Sequence, residues 1–151
     1  MAVTTANQVA DYMLCYVFDR GLYLTNLVLQ KLVYYAQAWF LALYDEPLFD
    51  DPLEAWVHGP VQPELYQRFK GYRWEPITER PDCPTFSDEV KAHIDEVMSV
   101  YGALTGYDLE RIVHSEYPWR NARDGLPPDE PSNNKILHED MKAFYAQMAE
   151  G

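Results

Sequence analysis

The chain of 151 residues has only two cysteines and no long uninterrupted apolar run, and each shortage excludes a class of protein. Cys15 and Cys83 lie far apart and have neither a metal-ligand nor a redox spacing. Cys15 also falls in a predicted buried helix. Two reduced cysteines in a cytoplasmic protein are therefore the simplest expectation.

Positive charge is also scarce, with 12 Lys and Arg against 24 Asp and Glu and a net charge of −12. Residues 1–75 carry −4 and residues 76–151 carry −8, so no basic half is hidden behind the average. Nucleic acids and anionic membranes attract basic proteins, so we expect neither as a partner. A charged partner is expected to be basic, although solubility alone is an alternative explanation of the acidity.

The most apolar stretch, residues 27–44, is interrupted by Gln30, Lys31 and Gln37. This pattern predicts a core helix and not a membrane span. The first residues, MAVTTANQVADYM, have no positively charged segment followed by an apolar one, so we expect no signal peptide.

Signals of catalysis and of metal binding are missing as well. None of the four histidines pairs with another histidine or a cysteine at helical spacing, and the chain has no HExxH, no CxxC and no glycine-rich phosphate loop. His114, Ser115 and Glu116 are adjacent, but neighbours along a helix point in different directions. We therefore expect no catalytic residue, no metal and no cofactor. A small hydrolase that uses His114 or His58 is the remaining alternative.

The sequence is rich in aromatic residues, with 12 Tyr, 6 Phe and 4 Trp, which excludes a disordered chain. Capping residues predict helices that begin near Thr5, Thr25, Pro63 and Ser87, with a fifth near residues 109–113 and a last one after residue 137. Pro118 is expected to end the fifth helix. Two proline-rich segments, residues 72–86 and 124–134, are predicted to be loops, and the second is expected to be mobile.

The predicted second helix, residues 26–44, has apolar residues around most of its circumference and is expected at the centre of the fold. The expected class is mostly α, with one compact domain over residues 1–151. It should contain five to six helices around the central helix and at most a very short β element near residues 53–57.

Aromatic residues beside prolines are candidates for partner contacts, because aromatic side chains anchor many protein–protein interfaces. Core packing is the alternative for most of them. Trp74 differs because it lies between Arg73 and Glu75 in a segment with no helical stripe to bury it. The candidate contact residues are Tyr72, Trp74, Trp56, His58, Tyr117 and Trp119.

The run LQKLVYYAQAWFLALYDEPLFDDPLEAWVHGPVQPELYQRFKGY, residues 29–72, resembles the Panacea antitoxin domain, also described as the SocA-like or phage-associated family. That family reads KLLYYAQxWxLA, then PLF, then AWxxGPVxPxxY. This chain has KLVYYAQAW, PLF and AWVHGPVQPELY in the same order. The later run HSEYPWRNA, residues 114–122, is similar to the family's H-x-E-x-PW-xx-A segment.

The resemblance implies an antitoxin, encoded beside its toxin and often in prophage, that neutralises a cognate protein toxin by direct contact. In one branch of the family the protein is an adaptor that delivers the toxin to a cytoplasmic ATP-dependent protease. Some relatives carry a DNA-binding domain, which we do not expect in this acidic chain. The family brings no catalytic residues. A one-to-one complex and a small symmetric complex, including a homo-oligomer, both remain open.

The motif can also be explained physically. Pro60 and Pro63 restrict their own φ angles, and each disfavours a helical conformation in the residue before it. Gly59 supplies either a positive φ angle or a close approach of the backbone. Residues 56–66 should therefore form a rigid corner that leads the third helix onto the central one. Three aromatic residues of the central helix are expected to pack beneath this corner. The residues expected to have this structural role are Tyr34, Tyr35, Trp39, Gly59, Pro60, Pro63 and Tyr66.

Overall fold

A computed structural model describes residues 2–150 and confirms the mostly α class. Within these residues the second helix is surrounded by six further α-helices and one β-hairpin. The helices are α1 (Ala6–Phe18), α2 (Asn26–Tyr44), α3 (Pro63–Phe69), α4 (Asp88–Tyr101), α5 (Gly106–Ser115), α6 (Tyr117–Ala122) and α7 (His138–Glu150). The strands β1 (Glu54–Trp56) and β2 (Gly59–Val61) pair antiparallel, and a 3₁₀ turn over Lys70–Tyr72 follows α3.

The predicted helix starts are confirmed. Side-chain oxygens of Thr5, Thr25 and Ser87 each accept a hydrogen bond from the main-chain amide three residues further on. These bonds satisfy amides that have no partner inside the helix. Pro63 is the first residue of α3, where its missing N–H costs nothing.

The central position of α2 is confirmed too. Every residue from 29 to 38 is buried, and α7, α4 and the hairpin pack against different sides of the helix. Although α2 is apolar, no helix among the described residues combines the length and the hydropathy that crossing a bilayer would need.

The β element near residues 53–57 is larger than the single short strand that was expected. Gly59 has φ 131°, which lets the chain reverse after Trp56 and run back as β2. The segment after residue 133 covers the other edge of β1, because Asn134 O accepts a hydrogen bond from Ala55 N at 2.8 Å. Strand β1 is therefore paired on both edges, by β2 and by this segment.

A short helix that was not expected accounts for the seventh α-helix. Pro118 does not end α5, which stops at Ser115. Instead Pro118 lies in the first turn of α6, the position at which a helix accepts proline without losing a hydrogen bond.

The expectation of two reduced cysteines is wrong for this structure. Cys15 in α1 and Cys83 in the loop before α4 form a disulfide, with their Cα atoms 6.0 Å apart. Cys15 is buried, whereas Cys83 is exposed. The loop of residues 73–87 crosses α1, and this tertiary approach has no signature in the spacing of the two cysteines.

The loop of residues 124–134 was expected to be mobile, but the structure anchors it. The guanidinium of Arg123, which is buried, donates hydrogen bonds to the carbonyls of Pro127 at 2.9 Å and Glu130. It also donates to Ala55 O at 2.9 Å in β1. One buried side chain therefore fixes the loop to the hairpin.

Candidate partner-binding surfaces

The corner formed by the hairpin and the start of α3 is tightly packed against α2. A Cβ atom on Gly59 would lie 3.1 Å from Lys31 Cε and 3.3 Å from Val113 Cγ1, so only glycine fits without displacing a neighbour. The amide of Gln62 donates to Gln30 Oε1 at 2.9 Å. These contacts fix the direction in which α3 leaves the hairpin.

Helix α6 supports the corner from the other side. Trp119 Nε1 donates to Trp56 O at 2.9 Å, and its ring stacks on His114 with 4.1 Å between the ring centroids. Trp119 was a candidate partner contact, but it is only 4% exposed. In this structure Trp119 packs against the hairpin and stabilises it. Its role is therefore structural and not that of an exposed partner contact.

The three aromatic residues of α2 were expected to pack beneath the corner, but their aromatic and hydrogen-bond partners lie elsewhere. Trp39 Nε1 donates to the Tyr101 hydroxyl at 2.9 Å, and the Tyr35 ring stacks on the Tyr101 ring at 3.9 Å. The ring of Tyr34 lies 6.2 Å from that of Tyr145. Their partners therefore belong to α4 and α7, because these helices cover that face of α2.

A buried carboxyl group, that of Glu116, joins these helices, whereas the sequence drew attention to Glu116 only as a neighbour of His114 and Ser115. Glu116 Oε1 accepts hydrogen bonds from Tyr35 at 2.9 Å and Tyr145 at 2.7 Å. The Tyr34 hydroxyl lies 3.1 Å from that of Tyr145 and donates to it, since the Tyr145 proton is directed at Glu116. Burial raises the pKa of Glu116 above its ordinary value.

An apolar groove of about 570 Å³ opens beside the hairpin. We call it the corner groove; it is lined by Leu27, Trp56, Val57, His58, Val61, Tyr66, Pro131, Ser132 and Asn133. The structure thus brings two of the candidate contact residues, Trp56 and His58, to one surface. Tyr66, which was expected to be only scaffold, forms part of the same surface.

The other candidate contact residues lie outside the corner groove. Trp74 is 81% exposed and follows Arg73, whose φ of 58° is uncommon for a residue with a side chain. Tyr72 is half-buried against the core. Tyr117 is 53% exposed and borders a second, more polar hollow of about 760 Å³ beside Arg120.

Lys31 is a further residue whose position the sequence did not reveal. Its side chain is buried behind the hairpin, and Nζ donates to Leu27 O at 3.3 Å. Burial lowers the pKa of Lys31 to about 8, and the nearby carboxylate of Glu110 offsets only part of this effect. An ammonium group is thus held beneath the corner, and it makes no salt bridge with any of residues 2–150.

The histidines lie in separate environments. His93 Nε2 is 2.9 Å from Ala36 O, and burial lowers the pKa of both His93 and His114. His138 Nε2 lies 3.5 Å from Gln37 Nε2. Across residues 2–150 no three His, Cys, Asp or Glu side chains converge in a way that could hold a metal ion.

A small helical domain that combines a braced apolar groove with exposed aromatic residues has the features of a protein-binding module. A model of the family described as "Antitoxin SocA-like, Panacea domain" matches residues 29–120. The chain belongs to that family, which confirms the resemblance noted from its motifs. The matched region runs from α2 through the corner to Arg120 in α6.

One curated relative can be compared directly. Antitoxin SocA of Caulobacter vibrioides (strain NA1000 / CB15N) is 29% identical over 109 residues, which cover 64% of this chain and 58% of that protein. The chain therefore spans less than two thirds of the length of this relative. No solved structure matches the chain.

Proposed function

We propose that the protein is an antitoxin that neutralises a cognate protein toxin by binding it directly, without modifying it. The observation that carries this proposal is the family match over residues 29–120, which includes most of the central helix and the whole corner. The similarity to a protein named Antitoxin SocA supports the same role. Membership of an antitoxin family also supports a non-enzymatic function.

Charge and exposed aromatic surface suggest how binding would occur. A net charge of −12 would speed the encounter with a basic toxin. Trp74, which is 81% exposed, is the proposed anchor, with Tyr72 and Tyr117 as additional contacts. Burying one aromatic anchor contributes about 2 kcal/mol, or roughly thirtyfold in affinity.

We place this encounter in the cytoplasm, with a one-to-one complex as the proposed stoichiometry. Cytoplasmic thiols keep most cysteines reduced, so the Cys15–Cys83 pair would be open for at least part of the time. Toxin binding should therefore be measured with and without a reductant.

The test uses the toxin encoded by the neighbouring reading frame. Purified protein should inhibit the purified toxin at a one-to-one ratio in the absence of any protease. Protection that requires an ATP-dependent protease, in the cell and in the purified reaction, would replace this proposal with the adaptor function. Failure of the protein to protect cells under either condition would reject the antitoxin function.

A further inference from the structure

The corner groove has aromatic walls. The rings of Trp56 and Tyr66 both border it, with 5.0 Å between their centroids and a tilt of 59° between their planes. Leu27 and Val61 complete the apolar part of the lining. The groove therefore offers π-electron surface as well as aliphatic surface to whatever occupies it.

Two carboxylates hold side chains of this groove in place. Glu54 Oε1 accepts a hydrogen bond from Trp56 Nε1 at 2.9 Å, and Glu110 Oε1 lies 3.1 Å from His58 Nδ1. The Oε2 atoms of both glutamates have no hydrogen-bond partner among the residues that the structure describes, and neither side chain is buried. Each carboxylate therefore keeps one oxygen free for a ligand.

The other charges around the groove are unequal in number. Glu64 and Glu130 are exposed on neighbouring segments. Lys135 is exposed and opposes Glu54 in a β-bridge, whereas Lys31 is buried behind the hairpin. Carboxylates thus outnumber accessible ammonium groups here, as they do in the whole chain.

We propose that the corner groove binds a basic segment of the toxin, with one arginine side chain lying against Trp56 and Tyr66 and its charge beside Glu54 and Glu110. This inference rests on the proposed antitoxin function. A guanidinium group is attracted to aromatic faces and donates several N–H groups to carboxylates, so both features of the groove serve one ligand. An acidic segment would be repelled by the carboxylates, and a neutral apolar segment would contact only the aromatic and aliphatic side chains.

A peptide titration tests the ligand chemistry without the toxin. The probes are acetyl-Leu-Arg-Leu-amide, the matched peptide with glutamate, and the matched peptide with norleucine. The indole N–H signal of Trp56, assigned in ¹⁵N-labelled protein with a Trp56→Tyr variant, should shift saturably with the arginine peptide. Binding of the other two peptides should be at least tenfold weaker. Equal binding of all three peptides, or no shift with any, would overturn the proposal.

Isosteric variants test the same groove against the toxin. The double variant Glu54→Gln/Glu110→Gln keeps both side-chain contacts and removes two charges. Its matched control, Glu46→Gln/Glu96→Gln, removes two exposed charges near the opposite end of α2. Leu43 at that end is 16 residues along α2 from Leu27 in the groove, or about 24 Å at 1.5 Å per residue. We expect the groove variant to bind the toxin at least tenfold more weakly and with less salt dependence, and the control to change affinity less than threefold.

The outcomes separate this inference from the proposed function. If both double variants bind the toxin like the wild type, the groove proposal is wrong while the antitoxin function stands. If the wild type fails to protect cells with and without the protease, the antitoxin function fails, and the peptide titration still decides the ligand chemistry. If the wild type sediments as a dimer that the groove variant converts to a monomer, a second copy of the chain is the occupant, and the proposal is overturned.

A third variant tests the aromatic wall. Tyr66→Leu preserves an apolar side chain but removes one ring. It should weaken binding of the arginine peptide at least threefold and leave binding of the norleucine peptide unchanged. Circular dichroism melts should match those of the wild type, and an equal loss for both peptides would show that the ring supplies only apolar area.

Discussion

The Tyr145 hydroxyl donates a hydrogen bond of 2.7 Å to the Glu116 carboxylate, which joins the last helix to the turn between α5 and α6. Tyr35 donates to the same oxygen from the central helix. One carboxyl group therefore links three parts of the chain that lie far apart in sequence. Such a buried network stabilises the fold only while all its members are paired.

Replacing Tyr145 with Phe should lower the free energy of unfolding by about 1–3 kcal/mol, because it takes one donor from a buried carboxyl group and leaves Tyr34 without an acceptor. Urea denaturation at pH 7 measures the loss. Tyr44→Phe is the matched control, since Tyr44 is 39% exposed and should change stability little. A loss no larger than that of the control would contradict the network.

The charge of Glu116 gives this network a pH dependence. Because burial raises the native-state pKa of Glu116, its contribution to stability is fullest below the unfolded-state value of about 4.5 and declines as the pH rises through the native-state pKa. Glu116→Gln keeps an acceptor for both tyrosines and does not ionise. The free energy of unfolding of the variant relative to wild type should therefore increase from pH 4.5 to pH 7. A constant difference would show that folding does not raise the pKa of Glu116.

Local signals in the sequence predicted the parts of the fold that depend on neighbouring residues. The caps Thr25 and Ser87 bind amides only three residues away, so their role can be predicted from the sequence. Gln37 was interpreted only as an interruption of an apolar run. In the structure it is buried, and its side-chain amide bonds to the main chain of Leu48 and Phe49 across a loop.

The candidate surface was predictable to a similar extent. Trp56 and His58 could be selected because they lie in the proline-containing corner of residues 56–66. The groove itself also needs Leu27 from α2 and residues 131–133 from the last loop. Those segments meet only through tertiary packing, as do Cys15 and Cys83, and no spacing within one chain encodes such a meeting.

Lys31 supplies a second prediction about charge. Its native-state pKa of about 8 lies below the ordinary value of 10.5, so the folded protein binds this proton less tightly than the unfolded chain. The resulting loss of stability has its full size below pH 8, and it disappears as the pH rises towards 10.5. Lys31→Met should therefore raise the free energy of unfolding by about 1–3 kcal/mol at pH 7.

Urea denaturation of wild type and Lys31→Met at pH 7 and pH 9.5 provides the measurement. The advantage of the variant should shrink at the higher pH. Lys91→Met is the control, because Lys91 is exposed and pairs with Asp95 at 2.9 Å. An advantage for Lys31→Met that is the same at both pH values would indicate a packing effect and not a buried charge.

Reduction of the Cys15–Cys83 disulfide should destabilise the protein without unfolding it. The bond closes a loop of 68 residues, for which constraint of the unfolded chain contributes about 2–4 kcal/mol. Ile77 is buried and donates to Leu24 O at 2.8 Å, so part of the loop before α4 stays attached when the bond opens. Thermal melts with and without a phosphine reductant measure the effect.

The variant Cys15→Ser/Cys83→Ser should melt like the reduced wild type and should not respond to the reductant. A wild-type melting temperature that is unchanged by complete reduction, verified by thiol titration, would show that the bond adds no stability. Residual structure in the unfolded chain would then explain the result.

Trp74→Ala should separate an effect on binding from an effect on stability. Trp74 is 81% exposed, so removing it should change the free energy of unfolding by no more than about 0.5 kcal/mol. If Trp74 anchors the toxin, the substitution should lower affinity for the toxin about thirtyfold, and toxicity should return on co-expression. Tyr107→Ala is the matched control, because Tyr107 is 76% exposed on α5. Calorimetric titration of both variants with the toxin measures the effect, and equal affinity for Trp74→Ala and wild type would place the main contact outside this loop.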